Sequence, residues 1–298
     1  MTEITLLDGS IGQELVRRSG DRATPLWSTQ VMIDRPELAR VVHDAYFAAG
    51  ASMATTNTYA TLRDRLVRVG LEDQVGRLAS IAVTAALGAR DAHGRGRVAG
   101  AIGPLPQSYR PDLCPPAAEA ARIYAELVAA LAPRVDLLLL ETMSSVDQAH
   151  GAMMAARASA LPVWLAVSVQ DADGTKLRSG EPLSGLAPLL GALPPEAILI
   201  NCATPEAITQ GLGTLRDFGM PFGAYANGFT RISEGFLVPA ATVDALERRH
   251  DLSPAAYAAA AMRWIGDGAT IVGGCCEVGP DHIAELARRI REAGHAIV

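Results

Sequence analysis

Apolar residues fall along this chain in eight short, nearly unbroken runs, at residues 4–8, 51–57, 98–103, 135–141, 163–169, 197–202, 222–227 and 270–275. Runs of this length without polar alternation describe strands covered on both faces, as in a parallel sheet. Between them lie longer stretches of helix formers. The segment Pro36–Ala49 has Pro at its start and Gly50 just past its end, the asymmetry expected of a helix. Strand alternating with helix argues a parallel sheet. Eight such strands fit a closed (β/α)8 barrel spanning residues 1–298 better than an open doubly wound sheet, which has fewer strands and one switch point.

Barrels of this kind build their chemistry from the C-terminal ends of the strands, while the opposite face serves stability. The expected ends are Asp8, Asn57, Gly103, Glu141, Ser168, Cys202, Asn227 and Cys275. An ionised carboxylate taken from water costs several kcal/mol unless it is paired or hydrogen-bonded. Asp8 and Glu141 are therefore expected to anchor a cationic group.

Three of the four cysteines sit at two of these ends, Cys202 after Asn201, and Cys275 with Cys276 after Gly273-Gly274. Three thiolates can hold Zn2+ and leave its fourth position for substrate, which separates catalytic from structural zinc. The competing reading is a set of inert core thiols, because cysteine is often a small buried hydrophobe. A disulfide framework is not expected from four cysteines in 298 residues, and a vicinal pair does not normally form an unstrained bridge. Cys114, in Asp-Leu-Cys-Pro-Pro, could close the site as a fourth ligand and is read as incidental.

Composition narrows the partners. Hydrophobic residues make up 49% and charged residues 19%, and the formal net charge is −6, so nothing favours nucleic acid. The N-terminus lacks a signal pattern and no apolar run approaches the ~20 residues of a membrane helix, which makes a cytoplasmic setting the default expectation. No glycine-rich phosphate cradle follows any expected strand, so nucleotide cofactors are not suggested. Asp171-Ala-Asp-Gly lacks the later acidic ligand of a calcium loop and is read as a turn. His43 and His282 fall within expected helices, where surface or helix-end roles are the expectation. The proline-rich residues 103–116 and the stretch 228–239 follow strand ends and could act as lids, the latter leading into a helix-rich stretch over 243–268.

Several segments together resemble one family. Leu7-Asp8-Gly9-Ser10-Ile11-Gly12-Gln13-Glu14-Leu15, Pro25-Leu26-Trp27-Ser28, Thr56-Asn57-Thr58-Tyr59, Glu141-Thr142, Asn201-Cys202 and Gly273-Gly274-Cys275-Cys276 are similar to the zinc-dependent homocysteine S-methyltransferases. That group includes betaine-homocysteine and S-methylmethionine-homocysteine methyltransferases and the homocysteine domain of cobalamin-dependent methionine synthase. The resemblance implies a (β/α)8 barrel in which Cys202, Cys275 and Cys276 hold Zn2+ and the homocysteine sulfur takes the remaining position. It matches Asp8 and Glu141 to the acids that hold the homocysteine amino group, and it places Asn57, Tyr59, Trp27 and Asn227 in the substrate-binding set. Ala226 departs from a family Tyr-Pro-Asn element, Ser10 stands where Gly or Ala is usual, and Gln13 replaces a common Thr.

The implied reaction moves a methyl group from an onium donor to the homocysteine thiol and gives methionine. S-methylmethionine is the preferred donor, S-adenosylmethionine the next, and betaine a less favoured one. Onium groups sit well against aromatic faces, which makes Trp27, Tyr59, Tyr109 and Tyr225 candidate walls. Tyr59 follows directly on a strand end, while for Trp27 and Tyr225 ordinary packing is an equal alternative. The contrasting readings are a noncatalytic zinc- or thiol-binding barrel and a methyltransferase with a different small-thiol acceptor.

Overall fold

The computed structural model describes residues 2–20, 26–238 and 242–298. Pro25 of the tryptophan segment and Pro239 of the second loop lie outside the described residues. The strands are β1 (Glu3–Leu6), β2 (Met53–Thr55), β3 (Arg97–Ile102), β4 (Leu137–Met143), β5 (Val163–Val167), β6 (Ala197–Asn201), β7 (Phe222–Tyr225), β8 (Ile271–Val272) and β9 (Ala296–Ile297). They form one parallel sheet in the order β2-β3-β4-β5-β6-β7-β8-β1-β9. A parallel bridge between Leu7 and Met53 brings the two ends of this order together, with the Ser52 N–H donating to the Leu6 carbonyl at 2.8 Å. The expected eight-stranded (β/α)8 barrel is thus present, with β9 as an addition outside the ring that pairs with β1.

Two apolar layers hold the barrel. The larger lies between sheet and helices and includes Ile4, Val98, Leu138, Leu165, Ile198 and Val272 from the strands. The smaller fills the barrel interior with Leu7, Met53, Ala99, Leu137, Leu139, Trp164, Ala166, Ala197, Leu199, Tyr225 and Ile271, and Cys275 packs against it. Small residues such as Ala99, Ala166 and Ala197 lie in the same interior cluster as the bulky Trp164, the mixing of small and large side chains that barrel layers require. The helix Pro36–Ala49 carries proline in its first turn and closes on Gly50 at φ 105°, as its sequence predicts.

Three expectations need correction. Seven of the strands end earlier than the apolar runs suggest, because backbone groups there find partners outside the ladder, while β4 runs on to Met143, past the expected end at Glu141. β8 is the clearest case: the Gly273 carbonyl turns to accept the Tyr257 hydroxyl of a helix at 2.5 Å. The helix-rich stretch expected over 243–268 holds a single short turn at Val243–Ala245 and an α-helix only from Pro254, where Ser253 caps it by accepting the Ala256 N–H. His43 is neither at the surface nor at a helix end. It is fully buried in the middle of Pro36–Ala49, and neither ring nitrogen has a hydrogen-bond partner. His282 does take a helix-end role, its Nδ1 accepting the Gly279 N–H.

Candidate active site

The strand ends open into a cavity of about 390 Å³. Asp8, Trp27, Asn57, Tyr59, Tyr109, Glu141, Cys202, Tyr225, Cys275 and Cys276 all line it, so the structure brings together nearly the whole set expected from sequence. Asn227 is the exception. It is buried outside that lining, its N–H on the Ala203 carbonyl and its Oδ1 accepting the Phe229 N–H, which makes it the pivot of a turn. Cys114 is also apart from the other thiols, half-buried beside Gln148.

The three sulfurs lie within 4.8 Å of one another, with Cys202 Sγ 2.6 Å from Cys275 Sγ and 3.9 Å from Cys276 Sγ. Cys202 follows β6 on a left-handed backbone, φ 52°. Cys275 and Cys276 follow β8 on a turn that needs its glycines: a Cβ on Gly273 would meet Leu7, and one on Gly274 would meet Val278. Hydrogen bonds from Cys275 and Cys276 pull the Cys202 thiol well below its usual range, and giving those protons to Cys202 pushes Cys275 up. As three thiols the cluster thus accommodates one thiolate, and a second or third negative charge in this buried space requires a cation. Clustered soft sulfur donors suit such a metal, so the residues present fit the metal that the resemblance implies.

The two acids are held differently. Asp8 receives the Thr55 N–H at 2.6 Å and the Thr55 hydroxyl at 2.8 Å, yet burial pushes its pKa up to about 7. Glu141 receives the Tyr225 hydroxyl at 3.1 Å, and burial, with the charges of Cys202 and Asp8 adding, pushes it up to about 8. Among the described residues, neither carboxylate has a cationic neighbour to hold it ionised. Tyr225 serves as the partner of Glu141 and as part of the interior core rather than as a free aromatic wall.

Other motif residues turn out to build the site. Asn201 accepts the Thr142 N–H at 2.9 Å and donates to the Thr142 hydroxyl at 3.0 Å, tying the Asn-Cys element to the Glu-Thr element. Asn57 takes the Ser28 hydroxyl at 2.8 Å and so fixes the start of the helix that follows Trp27. The Tyr59 hydroxyl pairs with Ser108 at 2.8 Å, and the Arg65 guanidinium lies 5.2 Å from its ring centroid. The three departures from the family pattern are used. Ser10 donates to Gln13 at 2.8 Å, and Gln13 receives the Glu277 N–H at 2.6 Å while donating to its carboxylate, bracing the residue after Cys276. Ala226, unlike proline, has an N–H, and it donates to the Tyr257 hydroxyl at 3.1 Å.

Sequence reasoning missed Tyr257, Arg178 and Asp171 as site builders. Tyr257 lies in an alanine-rich helix with nothing local to mark it, but an Asp and an Arg seven residues apart around a turn, so close to a strand end, were a signal open to reading. Among the described residues, six with a Cβ carry positive φ, namely Trp27, Tyr109, Thr142, Ala160, Cys202 and Glu277, and four of the six line the cavity. Such strained non-glycine residues cluster at functional sites because the surrounding structure must over-determine them.

A (β/α)8 barrel that gathers three metal-competent thiols and two cation-seeking acids in one cavity at its C-terminal face is laid out as an enzyme. The family profile described as homocysteine S-methyltransferase matches residues 5–290, and the chain belongs to that family. The homocysteine S-methyltransferase of Escherichia coli (strain K12) is 30% identical, with 96% of this chain and 95% of that protein covered. The homocysteine S-methyltransferase YbgG of Bacillus subtilis (strain 168) is 27% identical, with 95% and 93% covered. The crystal structure of the homocysteine methyltransferase MmuM from Escherichia coli in its metallated form matches with a TM-score of 0.79 at 30% identity, covering 96% of each chain. Among the described residues no helix is long and apolar enough to cross a membrane.

Proposed function

We propose that this enzyme transfers a methyl group from a small onium donor to the thiol of homocysteine, giving methionine, with Zn2+ held by Cys202, Cys275 and Cys276. One observation carries the reading: the sulfur trio and the acids Asp8 and Glu141 face the same cavity. An amino acid bearing both a thiol and an ammonium group answers both features at once. Zn2+ bound by the trio would hold an incoming thiol as a thiolate at neutral pH.

The chain's own residues do the rest. Asp8, fixed by Thr55, and Glu141, fixed by Tyr225, receive the substrate ammonium, which offsets the burial that pushes both acids up. The walls formed by Tyr59, Tyr109 and Trp27 exclude water and set the donor in line with the attacking sulfur, and positioning of this kind supplies much of the acceleration of a bimolecular transfer. Arg65 and Arg68 line the same cavity and suit a donor that carries its own carboxylate, as S-methylmethionine, S-adenosylmethionine and betaine all do; the family resemblance makes S-methylmethionine the preferred donor and S-adenosylmethionine the next. Free thiols in this number suit a reducing compartment such as the cytoplasm.

The test is direct. Purified protein with Zn2+, homocysteine and each donor in turn should form methionine, fastest with S-methylmethionine. No methionine with any donor overturns the reading, and stoichiometric binding without turnover makes the chain a binding barrel instead. The amino-group assignment has its own check. The substrate amine stays protonated across neutral pH, whereas Asp8 loses its negative charge as pH falls through about 7. The KM for homocysteine should therefore rise as pH falls through about 8, where Glu141 loses its charge, and again through about 7, and Asp8→Asn should raise it throughout and remove only the step near 7.

A further inference from the structure

We propose that Arg178 is a positioning residue for the thiol cluster, holding the Cys202 carbonyl and the Tyr109 ring in place and joining both, through Asp171, to the segment 228–238. The proposal rests on the reading of Cys202 as a metal ligand.

Arg178 does not line the cavity, yet its guanidinium is used on every side. It grips Asp171 with two parallel bonds, Nη1 to Oδ2 at 2.8 Å and Nη2 to Oδ1 at 2.9 Å. Its Nε donates to the Ser168 hydroxyl at 3.1 Å and its Nη2 to the Cys202 carbonyl at 3.2 Å, while Ser168 donates to that same carbonyl at 3.3 Å. The guanidinium carbon lies 4.9 Å from the centroid of the Tyr109 ring, which lines the same cavity as the Cys202 sulfur. The pair is buried, with 9% of the Arg178 side chain and 14% of the Asp171 side chain exposed, so water screens it little.

These contacts converge on two residues that need outside support. Cys202 at φ 52° and Tyr109 at φ 61° both stand in the left-handed region, which residues with a Cβ leave unless neighbours hold them. A guanidinium suits the task because its fork is rigid and planar, so one group can satisfy a carboxylate, a hydroxyl, a carbonyl and a ring face together. On the far side, Asp171 Oδ2 accepts the Ile232 N–H at 2.9 Å. Further along that segment Phe236 lines the cavity and packs 5.9 Å from Tyr109 between ring centroids, and the Leu237 carbonyl accepts from Arg110 at 2.8 Å. The loop over the mouth and the sulfur beneath it thus share one ion pair.

The experiment uses substrate-free full-length protein and Co2+ as the probe, its thiolate absorption read during competition with a chelator. Groups that orient metal ligands from behind change affinity by roughly 10–100-fold when lost. Arg178→Gln and Arg178→Lys should each weaken Co2+ binding by about tenfold or more and alter the absorption band. Asp171→Asn should weaken Co2+ binding less and raise the KM for the methyl donor more than it lowers kcat. The double variant should bind Co2+ no worse than Arg178→Gln alone, because the two act as one unit. Arg249→Gln, which breaks more exposed pairs with Glu206 and Asp251 outside the cavity, is the control for loss of an arginine ion pair away from the thiols. Should Arg178→Gln fail to fold, the lysine variant decides. Unchanged Co2+ affinity in Arg178→Lys, or a loss no larger than that of Arg249→Gln, overturns the proposal while leaving methyl transfer untouched. Wild-type protein that takes up no Co2+ overturns the metal reading itself and this proposal with it.

Discussion

Cys202 follows its strand with a carbonyl gripped by a guanidinium and a hydroxyl, whereas Cys275 and Cys276 ride a glycine-led turn held mainly by neutral groups and close packing, with the Arg248–Glu277 ion pair at its edge. The three sulfurs meet within 4.8 Å all the same. On the Cys202 side geometry comes from charge, with Arg178 and Asp171 oriented over a strained backbone. On the other side it comes from volume: Gly273 and Gly274 lie against Leu7 and Val278, Tyr257 spans from Ala226 to Gly273, and Gln13 braces Glu277. Charge sets direction over a few ångströms and tolerates small shifts, while packing sets position and tolerates almost none. The two sides should therefore fail in different ways.

The largest expected failure is on the packed side. Gly274→Ala pushes a methyl group into the buried Val278 side chain, and forced overpacking of this kind costs about 3 kcal/mol. Chemical denaturation should show that loss, and the protein that remains folded should no longer bind metal. Retention of both stability and metal would mean that the turn has slack, and the contrast between the sides would disappear.

A second measurement separates failure of the site from failure of the frame in acid. Burial lowers the pKa of His43 from 6.5 to about 4, so the folded state keeps this ring neutral where the unfolded chain would protonate it. The sign follows from linkage: the stabilising effect is fully present above pH 6.5 and is lost as pH falls from there to about 4, by about 3 kcal/mol in total. His43→Leu should remove this part of the acid dependence in urea titrations. Any acid loss of metal that persists in the variant then belongs to the thiols and carboxylates.

The smallest effect expected is in Tyr257→Phe, which strands the buried Ala226 N–H and Gly273 carbonyl and should cost about 2 kcal/mol. Metal affinity should fall along with stability, because the turn bearing Cys275 loosens. A fall in stability alone would mean that the glycines suffice to place the sulfurs.

The strands were legible because each is a continuous apolar run, and the site was legible because its residues stand at the ends of those runs. Asp8, Glu141, Cys202 and Cys275 could be named from that rule alone. The rule overshoots where a chain leaves its ladder for another partner, as at Gly273, and it placed Asn227 in a pocket from which a turn withdraws it. β9 escaped notice because Ala296–Ile297 is too short to form a pattern. Arg178 and Tyr257 were hidden for a different reason: what makes them matter is contact with Cys202 and Gly273, 24 and 16 positions away in the chain, and no local pattern encodes such a pairing.

The meeting of β1 and β2 is the thinnest part of the ring, a lone bridge between Leu7 and Met53. Asp8 crosses that seam to hold both the amide and the hydroxyl of Thr55. The side chain that would greet the amino acid is thus also the clasp of the hoop. A ligand that draws on this carboxylate tugs at the closure itself, and occupancy of the pocket should be felt as stiffness or slack around the whole circumference.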